Sequence, residues 1–350
     1  MKIALFTHEL GLNGAPRALF NMAKCLLKNG HDIDVYSPFN GPLGVEFESV
    51  GINVIVQRSI LDEKPLMEPK KYDVLLFNTI ISLIMAKNTK EWDCNKRIAW
   101  IHEGPFAYKL FETTITSYGL GRKLNFRDLI QYADDIYCVS DWSADITEKY
   151  TDKEVKILPY YIENSDHKRC HKESQYLTIG LIGTVEERKG IKVLAEALKK
   201  VPNNIRVISI GTPMQPIPSD KIVYLGKMSH EKVLDAYDNF DLLICPSEDD
   251  PMPIVCAEAF MLGCPVFASN NTGVSLLIDE CFNGYTFDYS VKGVKDAINW
   301  ANQHRHLLND IGERGKQIYK DVFTLEAFNK EIDSIFKPKE YGVHNNQRPE

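Results

Sequence analysis

Short apolar runs alternate with longer amphipathic stretches along the whole chain. In the stretch Ala18–Lys28, apolar residues such as Leu19, Met22 and Ala23 recur at the three-and-four spacing of one buried helix face. The short runs are rich in Ile, Val, Leu and Phe, and they are apolar at successive positions. Strands that are apolar on both faces and alternate with helices indicate a parallel sheet covered on both sides.

This pattern occurs twice, and each occurrence predicts a set of strands and helices. Strands are predicted in the first half at Lys2–Thr7, Asp32–Ser37, Ile52–Val56, Asp73–Asn78, Arg97–His102, Ile136–Ser140 and Val155–Tyr160. Strands are predicted in the second half at Thr178–Thr184, Arg206–Gly211, Ile222–Leu225, Asp241–Pro246, Pro265–Ser269 and Tyr285–Phe287. Helices are predicted at Ala18–Lys28, Gly190–Lys200, His230–Asn239, Ile254–Leu262, Val291–Gln303 and His306–Lys320.

A polar interruption at Ile162–Gln175 separates the two sets, so we place a domain boundary there. We predict two doubly wound α/β domains, at 1–165 and 166–321, which suits a chain of 350 residues. Ligands of such domains bind at the carboxyl ends of the strands, here facing the cleft between the domains. The polar tail at 337–350 is expected to be disordered.

The composition of the chain argues against nucleic acids as its binding partners and bears on its location in the cell. The chain has 44% hydrophobic and 25% charged residues and a formal net charge of −7, so it lacks the basic field of nucleic-acid-binding proteins. No run of 18 apolar residues is present, and the segment MKIALFTHELG is too short in apolar residues for a secretory signal. The eight cysteines form no C-x-x-C pair, which favours a reducing compartment and predicts a cytoplasmic location.

The first candidate site is the segment GTVEERKG at Gly183–Gly190, which joins a predicted strand to a predicted helix. Arg188 and Lys189 are expected at the start of that helix, where free N–H groups already attract anions. Two cations at this place could hold a diphosphate. A solvated turn with two surface cations is the alternative for this segment taken alone.

The second candidate site is PSEDDPMPIVCAEAFMLGC at Pro246–Cys264. Glu248, Asp249 and Asp250 precede a proline-bearing turn and an apolar helix that carries one carboxylate, Glu258. A carboxylate on an apolar face costs desolvation unless it has a partner, and the two hydroxyls of a ribose would provide one. The alternative is an acidic loop that caps a helix.

Two weaker signals lie in the first half. The turn LGLNGAPRALF places Gly11 and Gly14 between a strand and a helix, but it is not the G-x-G-x-x-G pattern of nicotinamide enzymes. The pair His102–Glu103 ends a predicted strand and so is expected at the rim of the cleft, although a lone histidine can equally be structural. His167, Cys170 and His171 have no standard zinc spacing, so no metal site is predicted.

Taken together, these segments resemble glycosyltransferase family 4, a retaining family with the two-domain GT-B architecture. The similarity extends over roughly residues 1–336. The sequences that carry it are NGAPRALF, the strand ending in His102, G…RKG, VYLGKM and PSEDDPMPIVCAEAFMLGCPVFAS. The resemblance implies an acceptor-binding N-terminal domain, a nucleotide-sugar-binding C-terminal domain and a terminal helix at 322–336 that crosses back to the first domain.

The resemblance also implies roles for individual residues. Arg188 and Lys189 would hold the donor diphosphate, Glu258 the ribose hydroxyls, and His102 would approach the transferred sugar. The remaining donor-binding positions are implied by the glycine turn, the phosphate-binding backbone and the segments near the base: Gly14, Gly183, Gly211, Gly226, Lys227, Met252, Pro253, Ile254 and Val255. The family needs no metal, and the nucleotide sugar is a substrate, so no cofactor is expected.

Two departures from the family pattern are visible. The family has two glutamates separated by seven residues, whereas the residue eight positions before Glu258 is Asp250, and the adjacent Asp249 is a second candidate for that role. The Asn-Gly pair that usually follows the last strand of the first domain is replaced by Tyr160–Tyr161.

The resulting hypothesis is a retaining hexosyltransferase that uses a nucleotide-diphosphate sugar, with a UDP-sugar as first choice. Its acceptor would be a glycan, a lipid-linked glycan or a protein, in bacterial surface polysaccharide or glycoconjugate synthesis. Attack by the acceptor on the front face is favoured over a covalent intermediate. A nucleotide-sugar epimerase of the same architecture and a non-catalytic nucleotide-sugar-binding protein are the rivals. The basic amphipathic stretch Lys109–Arg127 leaves a peripheral membrane contact open, although a packed helix is favoured there.

Overall fold

The first sheet of the computed structural model, which describes residues 1–62, 68–111, 124–172 and 174–336, has seven parallel strands. Its spatial order is β3-β2-β1-β4-β5-β6-β7. The strands are β1 (Lys2–Thr7), β2 (Asp32–Ser37), β3 (Asn53–Val56), β4 (Lys71–Asn78), β5 (Asp93–Ile101), β6 (Asp135–Cys138) and β7 (Val155–Ile157). The central strands are apolar at successive positions because helices cover both faces.

The second sheet has six parallel strands in the order β10-β9-β8-β11-β12-β13. These strands are β8 (Leu177–Ile182), β9 (Ile205–Ile210), β10 (Ile222–Gly226), β11 (Leu242–Cys245), β12 (Val266–Ser269) and β13 (Tyr285–Phe287). Every predicted strand of both halves is therefore confirmed, with ends that shift by a few residues. In both sheets the order reverses beside the first strand, as in doubly wound folds.

Twelve α-helices lie within the described residues. They are α1 (Gly14–Lys28), α2 (Pro42–Ser49), α3 (Leu83–Asn88), α4 (Pro105–Lys109), α5 (Phe126–Ile130), α6 (Asp141–Thr147), α7 (Ile191–Leu198), α8 (His230–Ala236), α9 (Ile254–Leu262), α10 (Val291–Gln303), α11 (Arg305–Ile318) and α12 (Leu325–Ile335). The predicted helices are confirmed, but α2 to α6 were not predicted. Each of those five has eight residues or fewer, which is too short for a helical period to stand out.

The chain returns to the first domain at its C-terminal end. Helix α11 packs on α9 of the second domain, and a π-helical segment, Tyr319–Phe323, leads into α12. Helix α12 lies against the first domain, because the Phe328 ring contacts the rings of Trp100 and Tyr161 at centroid distances of 6.4 and 5.2 Å. One apolar cluster consequently runs from the first sheet through α12 to α9.

The domains meet at the carboxyl ends of their strands, where the sequence predicts a cleft. The hydroxyl of Ser140, which follows β6, donates to the Pro251 carbonyl beyond β11 at 2.7 Å. No helix in the described ranges is both long and apolar enough to cross a bilayer. Most of the stretch Lys109–Arg127 (residues 112–123) and the tail at 337–350 lie outside the described residues.

Candidate active site

Arg188 and Lys189 lie in a single 3₁₀ turn, Glu187–Lys189, that follows β8. The prediction that they occupy the start of the helix is wrong by one turn, because Gly190 adopts a left-handed conformation (φ 80°) and α7 begins after it. A Cβ atom at Gly190 would stand 1.8 Å from the Pro246 carbonyl oxygen, so only glycine allows the turn to pass so close to β11. This close approach places Arg188 and Lys189 next to the acidic loop, residues 246–253, which joins β11 to α9.

Both cations are paired with that loop. The Arg188 guanidinium donates to the Asp249 carbonyl at 2.6 Å and to the Glu186 carboxylate at 2.9 Å. Lys189 Nζ forms an ion pair with the Asp250 carboxylate. Burial opposes the charged form of Lys189, but the charge of Asp250, the hydrogen bond to it and the charge of Cys245 together raise the lysine pKa. Lys189 is therefore a cation at neutral pH.

Asp249 and Asp250 face different partners although they are adjacent and both buried. Asp249 Oδ2 accepts the backbone N–H of Phe106, in the other domain, at 2.6 Å. Its Oδ1 is buried without a hydrogen-bond partner among the described residues, and a Cβ at Gly104 would stand 1.9 Å from it. Burial raises the pKa of Asp249. Asp250 is thus the ion-pair partner of Lys189, whereas the side chain of Asp249 contacts the N-terminal wall of the cleft.

Glu258 is buried in the middle of α9, as its surroundings in the sequence predict. Its Oε1 lies 2.8 Å from Nε2 of His230, and its Oε2 lies 3.5 Å from the Tyr237 hydroxyl. The hydrogen bond to Glu258 raises the pKa of His230. Sequence reasoning missed His230, because it lies 28 residues before its partner and at the start of another helix.

His102 follows β5, and its ring contacts Trp100 at a centroid distance of 4.3 Å. Its Nε2 is buried and has no hydrogen-bond partner among the described residues. Burial lowers the pKa of His102 to about 3, so the ring is neutral. The Glu103 carboxylate accepts the N–H groups of His102 and Ile80, at 3.0 and 3.2 Å, and burial raises its pKa to about 7.

Gly183 of the GTVEERKG segment lies beside Gly211 and Gly226, the two glycines near the expected base site, at the ends of β8, β9 and β10. Gly183, Gly211 and Gly226 have φ values of 128°, 144° and 74°. Gly211 donates to the Gly226 carbonyl at 2.9 Å, and a Cβ atom on Gly211 would stand 1.8 Å from the Gly183 carbonyl oxygen. Lys227 follows them on the surface. The backbone here can therefore approach a planar ligand closely.

A cavity of about 670 Å³ separates α1 from α8 and α9. It is lined by residues of both domains, including Gly14, His230, Ile254, Val255 and Glu258. Tyr160 and Tyr161 also line it. The other predicted site residues, namely His102, Gly183, Arg188, Lys189, Gly211, Gly226, Lys227, Asp249, Asp250, Met252 and Pro253, do not line this cavity.

Several solved structures resemble the chain over nearly its whole length. The crystal structure of Anabaena Alr3699/HepE in complex with UDP-glucose superimposes with a TM-score of 0.74 at 16% identity, over 96% of this chain and 99% of that one. Sucrose-phosphate synthase from Thermosynechococcus elongatus superimposes with a TM-score of 0.72 at 15% identity, over 96% and 98%. The chain therefore has the GT-B fold, with two Rossmann-like domains.

A family model matches the second half of the sequence. Residues 163–318 match the family described as "Glycosyl transferases group 1", so the C-terminal domain is a group 1 glycosyltransferase domain. Relatives include an uncharacterized glycosyltransferase of Methanocaldococcus jannaschii, 23% identical over 54% of this chain and 55% of its own length. Another is the capsular polysaccharide biosynthesis glycosyltransferase CapM of Staphylococcus aureus, 26% identical over 45% of each chain. The chain thus spans about half the length of these curated relatives.

Proposed function

We propose that this protein is a retaining, metal-independent glycosyltransferase of family 4 that transfers a hexose from a UDP-sugar. The observation that carries the proposal is the placement of Arg188, Lys189 and Glu258. Two cations and one buried carboxylate stand on elements of one domain, and the glycine turn at Gly14 lies across the cleft from α9, with Ile254 3.5 Å from the position of a Gly14 Cβ. The UDP-glucose complex of the Anabaena neighbour supports the choice of donor.

In this proposal the charges of the donor are divided among the C-terminal residues. Negative charge develops on the leaving diphosphate, and Arg188 and Lys189 stabilise it without a metal. The N–H groups at the start of α9, from Ile254 and Val255, are available because the first N–H groups of a helix have no intrahelical acceptor. Glu258 accepts hydrogen bonds from the ribose hydroxyls, in exchange for its bond to His230.

The sugar would lie between the two domains. The neutral His102 has a buried nitrogen without a partner in the described structure, and Asp249 Oδ1 has none either, so both can bond to sugar hydroxyls. No carboxylate is proposed as a covalent nucleophile, and the acceptor hydroxyl attacks the face from which the diphosphate leaves. A glycan, lipid-linked or protein acceptor in surface polysaccharide synthesis is proposed, with support from the capsular polysaccharide enzyme among the relatives. The cysteines are unbridged, which supports a reducing, cytoplasmic location.

The test has two stages. Thermal-shift measurements with UDP, GDP and ADP should show stabilisation by UDP, of about 2.7 kcal/mol at a hundred times the dissociation constant. Incubation of the protein with UDP-sugars, with and without glycan acceptors, should then give a product that retains the anomeric configuration. Conversion of free donor to an epimer would instead establish an epimerase, and binding without turnover of any donor would establish a binding protein.

A further inference from the structure

Tyr160 and Tyr161 replace the Asn-Gly pair of the family that the chain resembles. Their hydroxyls form hydrogen bonds to different domains. Both follow β7, and both are buried. The Tyr160 hydroxyl donates to the Met252 carbonyl, in the acidic loop of the C-terminal domain, at 2.7 Å. The Tyr161 hydroxyl donates to the Asn21 carbonyl, in α1 of the N-terminal domain, at 3.0 Å. Adjacent residues of the same type thus bind backbone carbonyls on opposite sides of the cleft.

The acceptor of Tyr160 has a special position. Met252 immediately precedes Pro253, the N-cap residue of α9, and Ile254 is the first residue of that helix. The Met252 carbonyl belongs to the peptide plane that joins it to Pro253, and proline restricts the backbone on both sides of that plane. A donor that holds this carbonyl therefore restricts the backbone that leads into the first turn of α9.

Among the described residues of the N-terminal domain, Tyr160 is one of three that donate a hydrogen bond to the acidic loop. Phe106 N donates to Asp249 Oδ2, and Ser140 Oγ donates to the Pro251 carbonyl at 2.7 Å. The loop is packed closely there, since a Cβ on Gly273 would stand 1.7 Å from the Pro251 oxygen and 2.5 Å from Ser140 Oγ. Of the three, the bond from Tyr160 is made to the residue nearest to α9.

We propose that Tyr160 is a positioning residue of the donor site. Its hydroxyl holds the Met252 carbonyl so that the N–H groups of Ile254 and Val255 point at the donor diphosphate, and it does not touch the reacting atoms itself. Tyr161 lines the same cavity, but its hydroxyl is bonded to α1 and not to the loop before α9, so it fixes the linker to α1 and not the start of α9. This inference rests on the proposed function, because it assumes that the start of α9 contacts the diphosphate.

The experiment compares two variants of the full chain, Tyr160→Phe and Tyr161→Phe. Each removes one buried hydroxyl and keeps the aromatic ring, so the two changes are matched in size, burial and lost hydrogen bond. Calorimetry gives the dissociation constant of UDP, steady-state kinetics gives KM and kcat for the UDP-sugar, and thermal unfolding gives the Tm. The binding measurements are made well below the lower Tm, so that both variants are folded.

We expect Tyr160→Phe to weaken UDP binding and raise the donor KM by roughly three- to tenfold, the range that corresponds to one hydrogen bond. The kcat should change less than KM, because the same diphosphate contacts are made in the ground state. Tyr161→Phe should leave the dissociation constant of UDP and the donor KM within about twofold of the wild-type values. It should lower the Tm by about as much as Tyr160→Phe does. A purely structural role of Tyr160 would lower the Tm and leave UDP binding unchanged.

The possible outcomes distinguish a failure of the positioning role of Tyr160 from a failure of the proposed function. A wild-type protein that binds UDP, together with equal dissociation constants in the two variants, would overturn the positioning role alone. A wild-type protein that binds none of UDP, GDP and ADP would overturn the proposed function and, with it, the role of Tyr160.

Discussion

The C-terminal side of the cleft carries the cations Arg188 and Lys189 and the carboxylate Glu258, here called the ionic wall. The N-terminal side carries the neutral His102, here called the neutral wall, in addition to the ion pairs Arg17–Glu46 and Lys24–Glu163. On the C-terminal side, Arg188, Lys189 and Glu258 are all hydrogen-bonded to other side chains or to backbone. On the N-terminal side, His102 is held neutral by burial, and its Nε2 has no partner among the described residues. The two walls are therefore prepared for different parts of a ligand.

This difference follows from the cost of burial. A buried cation or carboxylate without a partner is strongly destabilising, so charged groups must pair within the protein until a ligand replaces those partners. A neutral imidazole nitrogen costs much less when it is left unpaired. Under the proposed function, the ionic wall would consequently bind its ligand by exchange of partners, while the neutral wall would offer an open position to a hydroxyl group.

The largest expected effect comes from removing a cation of the ionic wall. Arg188→Ala should lower kcat/KM for the UDP-sugar by about 10²–10³-fold, the usual consequence of losing one preorganised contact to developing negative charge. Lys192→Ala is the control, because Lys192 lies nearby, in the first turn of α7, but its side chain is 66% exposed and pairs with the exposed Glu187. Steady-state kinetics and thermal unfolding of both variants are the measurements. Near-normal transfer by a folded Arg188→Ala protein would remove the basis for the ionic wall as a diphosphate site.

Loss of the buried carboxylate should affect binding rather than the chemical step. Glu258→Gln keeps the shape of the side chain but removes its charge, so UDP should bind on the order of ten- to a hundredfold more weakly. The matched control is Glu163→Gln, since Glu163 lines the same cavity but is an exposed partner of Lys24. Calorimetry with UDP and with 2′-deoxy-UDP measures the effect. If Glu258→Gln lost the same affinity for both nucleotides, the 2′-hydroxyl of the ribose would not be the partner of Glu258.

The neutral wall should behave in the opposite way. His102→Ala should leave the dissociation constant of UDP unchanged, because UDP lacks the transferred sugar, and should lower kcat for the UDP-sugar by about tenfold through the loss of a hydrogen bond to that sugar. UDP thus serves as the internal control for the UDP-sugar. A His102→Ala protein with weakened UDP binding would show that the division between the two walls is wrong.

The sequence predicted the two sheets well because parallel strands buried on both faces are continuous apolar runs. Even the three-residue strand β13 was found, since turn residues bound it on both sides. The helices α2 to α6 could not be found in the same way, because a helix of two turns or fewer has no period to detect. Length, rather than composition, limited the prediction of the fold.

At the site, residue types were predictable but partners were not. Spacing within one segment suggested that Arg188 and Lys189 act together and that Glu258 is buried. It could not show that Lys189 pairs with Asp250, 61 residues away, or that His230 is hydrogen-bonded to Glu258. Such contacts depend on how separate loops meet at the strand ends, for example through the close approach of Gly190 to Pro246.

The smallest expected effect is a pH dependence of donor affinity that arises from this missed pair. The hydrogen bond to Glu258 raises the pKa of His230, so the stabilisation from this pair is full below the ordinary histidine pKa and is lost as the pH rises through the raised value. Arg17 and Glu163 are the other charged groups that face His230. If ribose must displace His230 from Glu258, protonation of His230 strengthens the competitor, and the donor binds more weakly at low pH.

We expect binding of a UDP-sugar to tighten by about two- to fivefold as the pH rises through the raised pKa of His230, a range that suits a pair with one exposed partner. A UDP-sugar is the right probe, since its diphosphate has no proton to lose in this range, whereas UDP does. His230→Gln should bind the donor with an affinity that hardly changes across the same pH range. If the donor affinity of the wild type changed with pH as little as that of His230→Gln, His230 would remain hydrogen-bonded to Glu258 when the donor is bound. The two walls would then differ less in how they exchange partners than the unliganded geometry implies.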